Sequence, residues 1–491
     1  MSNLARRSVT SISWNVSASL VSTVVLFARS VVLARLLPVA VFGVYAGAAA
    51  VVGVTAIGAS LGMGGALVHR APETEDLEQA ARVHFTLKLI LTSAWALLMF
   101  GGIALLAEGS TRTALFLLVA TTVGMELTET PRLILTRRVV HRRLAGIQLA
   151  NAVATTAIAV SLASLDVALW ALLATDIATV AVFFVALYVW RPVWRPRLAW
   201  SPPIVRYFLR FGSRTFAASL LERGLQRLDN LWTRFTLGVT PLGFYSRAYR
   251  FSTYPRSVIA APVAGVIGGT YAELAGERGR LSRAFVLANS SLARAGFFAS
   301  GLLVLVAPEF IEILLGARWR PMLEPLRIMF VYAMLSPLTT TLASLFIAVG
   351  RPGVLVRTRA VQLGVLLTGL VGLTSWLEIN GVAIAVSAMT TVGVIALLAQ
   401  ARAVVDFSAR KIFLPPAIAL VLGGILGRVA IALPGVIGSH WRTGAVKSLV
   451  FTACYAATLM ILEGRELTQT FARMRQLVRS GDPQPIPEDE K

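Results

Sequence analysis

The chain has 491 residues, 56% of them hydrophobic and only 14% charged, with a mean hydropathy of +0.73. Soluble proteins carry roughly 25% charged residues, so this composition excludes a soluble enzyme and makes lipid the solvent for most of the chain. The 46 Lys and Arg against 24 Asp and Glu leave a formal net charge of +22. These cations sit in short segments between apolar runs, with no basic aromatic module, which argues for membrane topology and against nucleic acid.

Runs of about 20 apolar residues cross a hydrocarbon core about 30 Å thick. Fourteen are found, and the first six lie near 11–36, 40–68, 83–107, 113–135, 144–165 and 167–190. Six more lie near 211–236, 243–271, 283–306, 322–349, 354–376 and 380–402, and a final pair near 411–433 and 443–463. Arg6 and Arg7 precede a first run too long for a signal peptide, so it reads as an uncleaved span. Alternate loops concentrate arginine: Arg137, Arg138, Arg142 and Arg143 after span four, Arg191, Arg195 and Arg197 after span six, Arg278 and Arg280 after span eight. This bias places both termini in the cytoplasm, and the even number of spans agrees.

The expected organisation is all-α and polytopic: an N-terminal lobe over 1–195, a C-terminal lobe over 196–405, an additional pair of spans over 406–464, and a cytoplasmic tail over 465–491 with a disordered end. Phe42-Gly43-Val44-Tyr45 repeats as Leu242-Gly243-Phe244-Tyr245 at an offset of two hundred positions. Each copy opens with a span entering from the cytoplasm, so the lobes are parallel six-helix repeats about a central cavity. No hydrophilic loop has the roughly 50 residues an extramembrane catalytic domain needs. No phosphate-binding loop, catalytic triad or metal-ligand spacing is present either, so neither an enzyme nor a cofactor is expected. The lone Cys454 excludes an intramolecular disulfide, and His69, His84, His141 and His440 read as loop or helix-end residues.

Charges inside spans are costly and mark function. Helical phase puts Arg223, Arg227, Asn230 and Arg234 on one stripe of span seven, and Arg247, Arg250 and Tyr254 on one face of span eight. Ser11, Asn15, Ser19, Ser22 and Arg29 share a face of span one, while His84, Lys88, Thr92 and Trp95 share a face of span three. Together with Arg294, these cations outline a route for an anion through one cavity; Arg214 reads as a snorkelling residue, Arg35 and Arg234 as interfacial anchors. Glu126, Glu129, Asp176, Glu222 and Asp229 are candidates for ion pairing or ion coupling. The glycines of span two (Gly43, Gly47, Gly53, Gly58, Gly62, Gly64 and Gly65) read as sites of close helix approach or bending.

The run Leu228-Asp229-Asn230-Leu231, Leu237-Gly238 and Pro241-Leu242-Gly243-Phe244-Tyr245-Ser246-Arg247-Ala248 resembles the seventh-to-eighth-span signature of the polysaccharide exporters. These form the O-antigen and colanic-acid branch of the multidrug/oligosaccharidyl-lipid/polysaccharide flippase superfamily. Ala34-Arg35-Leu36-Leu37 with Phe42-Gly43-Val44-Tyr45 is the first-half counterpart. The resemblance implies an inner-membrane flippase that moves an undecaprenyl-pyrophosphate-linked oligosaccharide by alternating access. It implies a lipid-linked substrate, a functional monomer, polymerase and export machinery as partners, and sodium or protons as the open choices of coupling ion. Rival readings are a multidrug or cation antiporter, a lipid II flippase, and a membrane polysaccharide polymerase or ligase.

Overall fold

The computed structural model describes residues 20–69, 77–138, 141–432 and 439–480, and every regular element among them is a helix. Helix α1 covers 20–36; Ser11, Asn15 and Ser19 lie outside the described residues, as does the tail from 481. Helix α2 is Val39–Thr55, followed by the short turns Ile57–Ser60 and Gly64–His69, with Leu61 and Gly62 between them at φ 42° and 69°. Helix α3 is Leu77–Leu106; α4 is Gly109–Leu127 and continues past Thr128 as Glu129–Arg137. Helix α5 is His141–Ser164 and α6 is Ala168–Phe184, the latter ending in the π-turn Val185–Val189.

The second half begins with α7, Pro202–Thr236, and α8, Val239–Pro255, which is prolonged by the π-turn Arg256–Ala260 and Ala261–Glu273. Helix α9, Arg278–Leu305, bends by 66° into Ala307–Leu315, and α10 is Phe330–Ala348. Gly353–Ala401 is two spans, α11 and α12: its 49 residues would form a rod of about 74 Å, more than twice a bilayer core. It folds back where Glu378 takes φ 48° and ψ −128°. Antiparallel contacts close that hairpin: Gln400 Nε2 donates to Thr358 Oγ1 (3.3 Å) and Gln362 Nε2 to the Met389 carbonyl (3.3 Å). Helix α13 is Ala409–Val429, and α14 is His440–Ser480 with a non-helical break at Glu463.

The fourteen expected spans thus each match a helix, straight or broken. Eight helical segments among the described residues, α11 and α12 together being one, are long and apolar enough to cross a membrane, or nine if the bent α9 is included. Helix α7 fails that test because its arginines leave no sufficiently uncharged stretch, and α8, with 17 residues to Pro255, is too short for it. Buried ion pairs tie α14 to the second half: Lys447 Nζ lies 2.6 Å from Glu309 Oε1, and Arg294 Nε 2.8 Å from Glu463 Oε2.

The repeat is realised at the seam between lobes. Helices α2 and α8 begin two hundred residues apart, and their first turns cross so closely that a Cβ on Gly43 would overlap the Val239 carbonyl, while one on Gly243 would overlap the Val39 carbonyl. The contact is reciprocal, as a two-fold axis requires, and it explains glycine at both positions. Around it Leu37, Phe42, Leu242, Tyr245 and Ala248 are buried.

One end of this seam is plugged. Trp319, fully buried, sits with its ring centroid 5.5 Å from that of Phe42 and 5.9 Å from that of Phe244, and its Nε1 donates to the Ala34 carbonyl (2.7 Å). Arg318 donates to the Ala34 (2.8 Å) and Arg35 carbonyls, and Arg35 in turn to that of Ile313 (2.7 Å). The exposed carbonyls at the end of α1 are thereby satisfied by the segment between α9 and α10.

Candidate functional site

A cavity of about 790 Å³ opens between α1, α2 and α6 on one side and α7, α8 and α10 on the other. Five arginines line it: Arg29 from α1, Arg227 from α7, and Arg247, Arg250 and Arg256 from α8 and its extension; no carboxylate is among the lining residues. Arg247, Arg250 and Tyr254 recur at helical spacing and therefore share a face. Pro255 cannot donate a backbone hydrogen bond, and the helix passes it through a π-turn that begins at Arg256; Arg256 follows Tyr249 by seven residues and Thr253 by three, and lines the cavity beside them.

The guanidinium groups are held mainly by neutral partners. Arg247 donates to Ser30 Oγ (3.4 Å) and lies 4.5 Å from the Phe42 ring centroid, and Arg250 lies 5.6 Å from that of Tyr254. No carboxylate pairs with Arg29, Arg227, Arg250 or Arg256 among the described residues. Tyrosines complete the wall: Tyr45, Tyr249, Tyr254 and Tyr332, with the Tyr249 and Tyr332 hydroxyls 3.2 Å apart.

The two nearby carboxylates stand behind this lining. Asp176 on α6 accepts from the Tyr45 hydroxyl (2.9 Å). Asp229 on α7, 1% exposed, accepts from the Tyr245 hydroxyl (2.6 Å) and from the Asn230 backbone (2.8 Å) and side-chain (3.2 Å) amides. These bonds join α2 to α6 and α7 to α8, so the Asp-Asn and Gly-x-Tyr motifs act as one joint.

Of the residues expected along the route, Arg29, Arg227, Asn230, Arg247 and Arg250 come together here. Lys88, Arg223 and Arg294 do not line this cavity. Lys88 is fully buried inside the first lobe and pairs with both Glu126 and Glu129 of α4. The polar face of α3 therefore turns inward rather than toward the cavity, and His84 is no helix-end residue: its Nδ1 lies 3.0 Å from Thr130 Oγ1 in a closed core. Arg223 reaches the Gly53 carbonyl of α2 (3.4 Å), and Arg294 pairs with Glu463. Glu222 pairs with Arg359 of α11 at 3.1 Å and is half exposed. Of the span-two glycines, Gly47 and Gly53 give room to the stems of Arg234 and Arg227. The side chains of Arg214, His69 and His141 lie outside the described residues.

Arg256, Tyr45 and Tyr332 were not anticipated. Tyr45 was marked by the repeat and Arg256 by its neighbouring proline, but neither signal gives an orientation. Chemically, the site offers five positive charges at its surface, with Asp176 and Asp229 acting on Arg29 and Arg227 only from behind the wall, beside four amphipathic rings, a match for a polyvalent anion attached to a polar body.

The sequence profile of a family described as polysaccharide biosynthesis protein matches residues 32–324, more than half of the chain. Among proteins with curated functions, none matches the sequence. The fold is similar to that of the lipid II flippase MurJ in an inward closed conformation, with a TM-score of 0.76 and 13% identity, covering 92% of this chain and 98% of that one. It is also similar to an inward-facing multidrug resistance MATE family transporter of the MOP superfamily, with a TM-score of 0.60 and 17% identity over 80% of this chain and 97% of that one. A MOP superfamily transporter from Pyrococcus furiosus, described as having a binding pocket of reversed polarity, gives a TM-score of 0.55 and 17% identity over 81% and 95%. The chain is thus a member of the polysaccharide biosynthesis protein family, an all-α polytopic membrane protein on the fold of the MOP-superfamily flippases and transporters.

Proposed function

We propose that the protein is a flippase for an undecaprenyl-pyrophosphate-linked oligosaccharide, carrying the repeat unit of an exopolysaccharide, capsule or O-antigen across the bacterial inner membrane by alternating access of its lobes. The observation that carries this reading is the set of five lining arginines with no carboxylate among them. A pyrophosphate cannot shed its water into hydrocarbon, and planar guanidinium groups replace that water with bidentate, charge-assisted hydrogen bonds. The tyrosines meet the sugar rings, while the polyprenyl chain stays in lipid. A cation antiporter of the same superfamily would need the opposite charge in its cavity.

In this reading the arginine-rich loops and both termini are cytoplasmic. Asp176 and Asp229 are the candidates for coupling to sodium or protons, with Glu126, Glu129 and Glu222 confined to ion pairs. A polymerase and export machinery act downstream on the delivered unit, and one copy of the chain suffices.

Deleting the gene and assaying lipid-linked oligosaccharide by leaflet tests the reading. Full units should accumulate on the cytoplasmic face, and complementation with Arg227→Ala or Arg29→Ala should fail at normal protein levels. Units that reach the periplasm but remain unpolymerised would make the protein an assembly enzyme instead. Accumulation of lipid II alone would move the substrate to the peptidoglycan precursor, which also carries a pyrophosphate.

A further inference from the structure

A second cavity, of about 620 Å³, opens between α2, α3, α4 and the end of α7. Leu98, Met99, Gly102, Ile103 and Leu106 form its floor, recurring at helical spacing along α3. Leu98 is 78% and Leu106 88% exposed, so the groove is continuous with the surface that faces acyl chains in a membrane. From Leu98 to Leu106 it runs about 12 Å, most of the roughly 15 Å of hydrocarbon in one leaflet.

Two charges belong to its lining. Arg234, in the last turn of α7, lays its stem against α2 so closely that a Cβ on Gly47 would lie 3.0 Å from the Arg234 Cδ. It has no ion pair or hydrogen bond among the described residues. Glu108 precedes the first turn of α4 without making a side-chain cap bond. Gly102 supplies an independent sign. Glycine weakens a helix interior, yet Gly102 keeps ordinary helical backbone, and a Cβ there would meet nothing within 4 Å. Neither conformation nor packing requires it; what its missing side chain does is leave the groove open.

The geometry points to a site for an aminophospholipid, with an acyl chain in the groove, its phosphate on Arg234 and its primary ammonium on Glu108. A purely anionic headgroup would satisfy Arg234 but be repelled by Glu108, and a quaternary ammonium has no N–H to donate. Such a lipid touches α7 of one lobe and α2 to α4 of the other, and steadies their seam. The inference does not depend on which substrate occupies the central cavity.

The test is to titrate the purified full chain with phosphatidylethanolamine, phosphatidylglycerol and phosphatidylcholine of identical acyl composition. Retained lipid is counted by native mass spectrometry, and thermal midpoints are recorded in parallel. Phosphatidylethanolamine should bind at least tenfold more tightly than the other two. Arg234→Gln should weaken it about tenfold, and Glu108→Gln should erase the preference over phosphatidylglycerol. Gly102→Leu, which fills open space, should abolish retention while leaving the lipid-free thermal midpoint unchanged or slightly raised. Equal retention of all three lipids, tighter phosphatidylglycerol binding, or retention untouched by Gly102→Leu would each overturn the proposal.

Discussion

Trp319→Ala should shift the protein away from the state in which one end of the seam is plugged. Two of the contacts that Trp319 makes cross between lobes: the indole hydrogen bond to the Ala34 carbonyl and the edge contact with Phe42. The first contributes about 1 kcal/mol and the second about 1 kcal/mol. The contact with Phe244 lies within the second half and does not distinguish the states. A loss of about 2 kcal/mol corresponds to roughly a thirtyfold change in the ratio of plugged to unplugged protein. Ser30 is a suitable reporter, since it lines the cavity and is 6% exposed. In a Cys454→Ala background, Ser30→Cys is labelled with a membrane-impermeant maleimide from each side in turn. Trp319→Ala should raise labelling from the plugged side by an order of magnitude or more, and Arg318→Ala should add to it. An unchanged rate from that side would refute the argument that these contacts hold the seam shut.

Removing the fully buried Lys88 leaves two partly buried carboxylates without their ion-pair partner. Lys88→Met should therefore cost about 3–5 kcal/mol, seen as a lowered thermal midpoint in detergent, and adding Glu126→Gln and Glu129→Gln should restore most of it. At the seam, Gly43→Ala or Gly243→Ala forces the helices apart and should cost about 1–3 kcal/mol, whereas Gly146→Ala, where a Cβ meets nothing within 4 Å, should be neutral or mildly stabilising. Arg278, hydrogen-bonded to Asp406 at 2.8 Å, holds that carboxyl below its ordinary range. The pair's contribution is therefore present above the ordinary carboxylate range and fades as pH falls through the lowered value. Because both groups are solvent-exposed, Asp406→Asn should leave the thermal midpoint nearly unchanged at neutral pH.

Span count and the repeat were legible because each follows from the chain's own periodicity and from the cost of exposing backbone to lipid. The seam was foreshadowed by the matched Gly43 and Gly243, although their reciprocal approach to Val239 and Val39 needed three dimensions. Phase alone brought Arg29, Arg227, Arg247 and Arg250 to one side of their helices. What phase leaves open is which neighbour that side meets. The stripe of Lys88 is as regular as that of Arg247, yet it meets Glu126 and Glu129 inside a lobe. Arg294 finds its counter-charge 169 residues away in Glu463, a distance no local pattern spans. Arg256 escaped because it is in phase with Tyr249 and Thr253, at the edge of the stripe that Arg247, Arg250 and Tyr254 mark.

The central claim is that the cavity's lining arginines carry a pyrophosphate across the membrane. Its most direct measurement is flipping in proteoliposomes of a fluorescent polyprenyl-pyrophosphate oligosaccharide, beside the same lipid with a neutral head, by the native chain and by Arg29→Gln, Arg227→Gln and Arg250→Gln. The account predicts transport of the pyrophosphate lipid only, with each substitution reducing the rate at least tenfold while the fold's thermal midpoint holds. Equal transport of the neutral lipid, or full activity in the arginine variants, would contradict it.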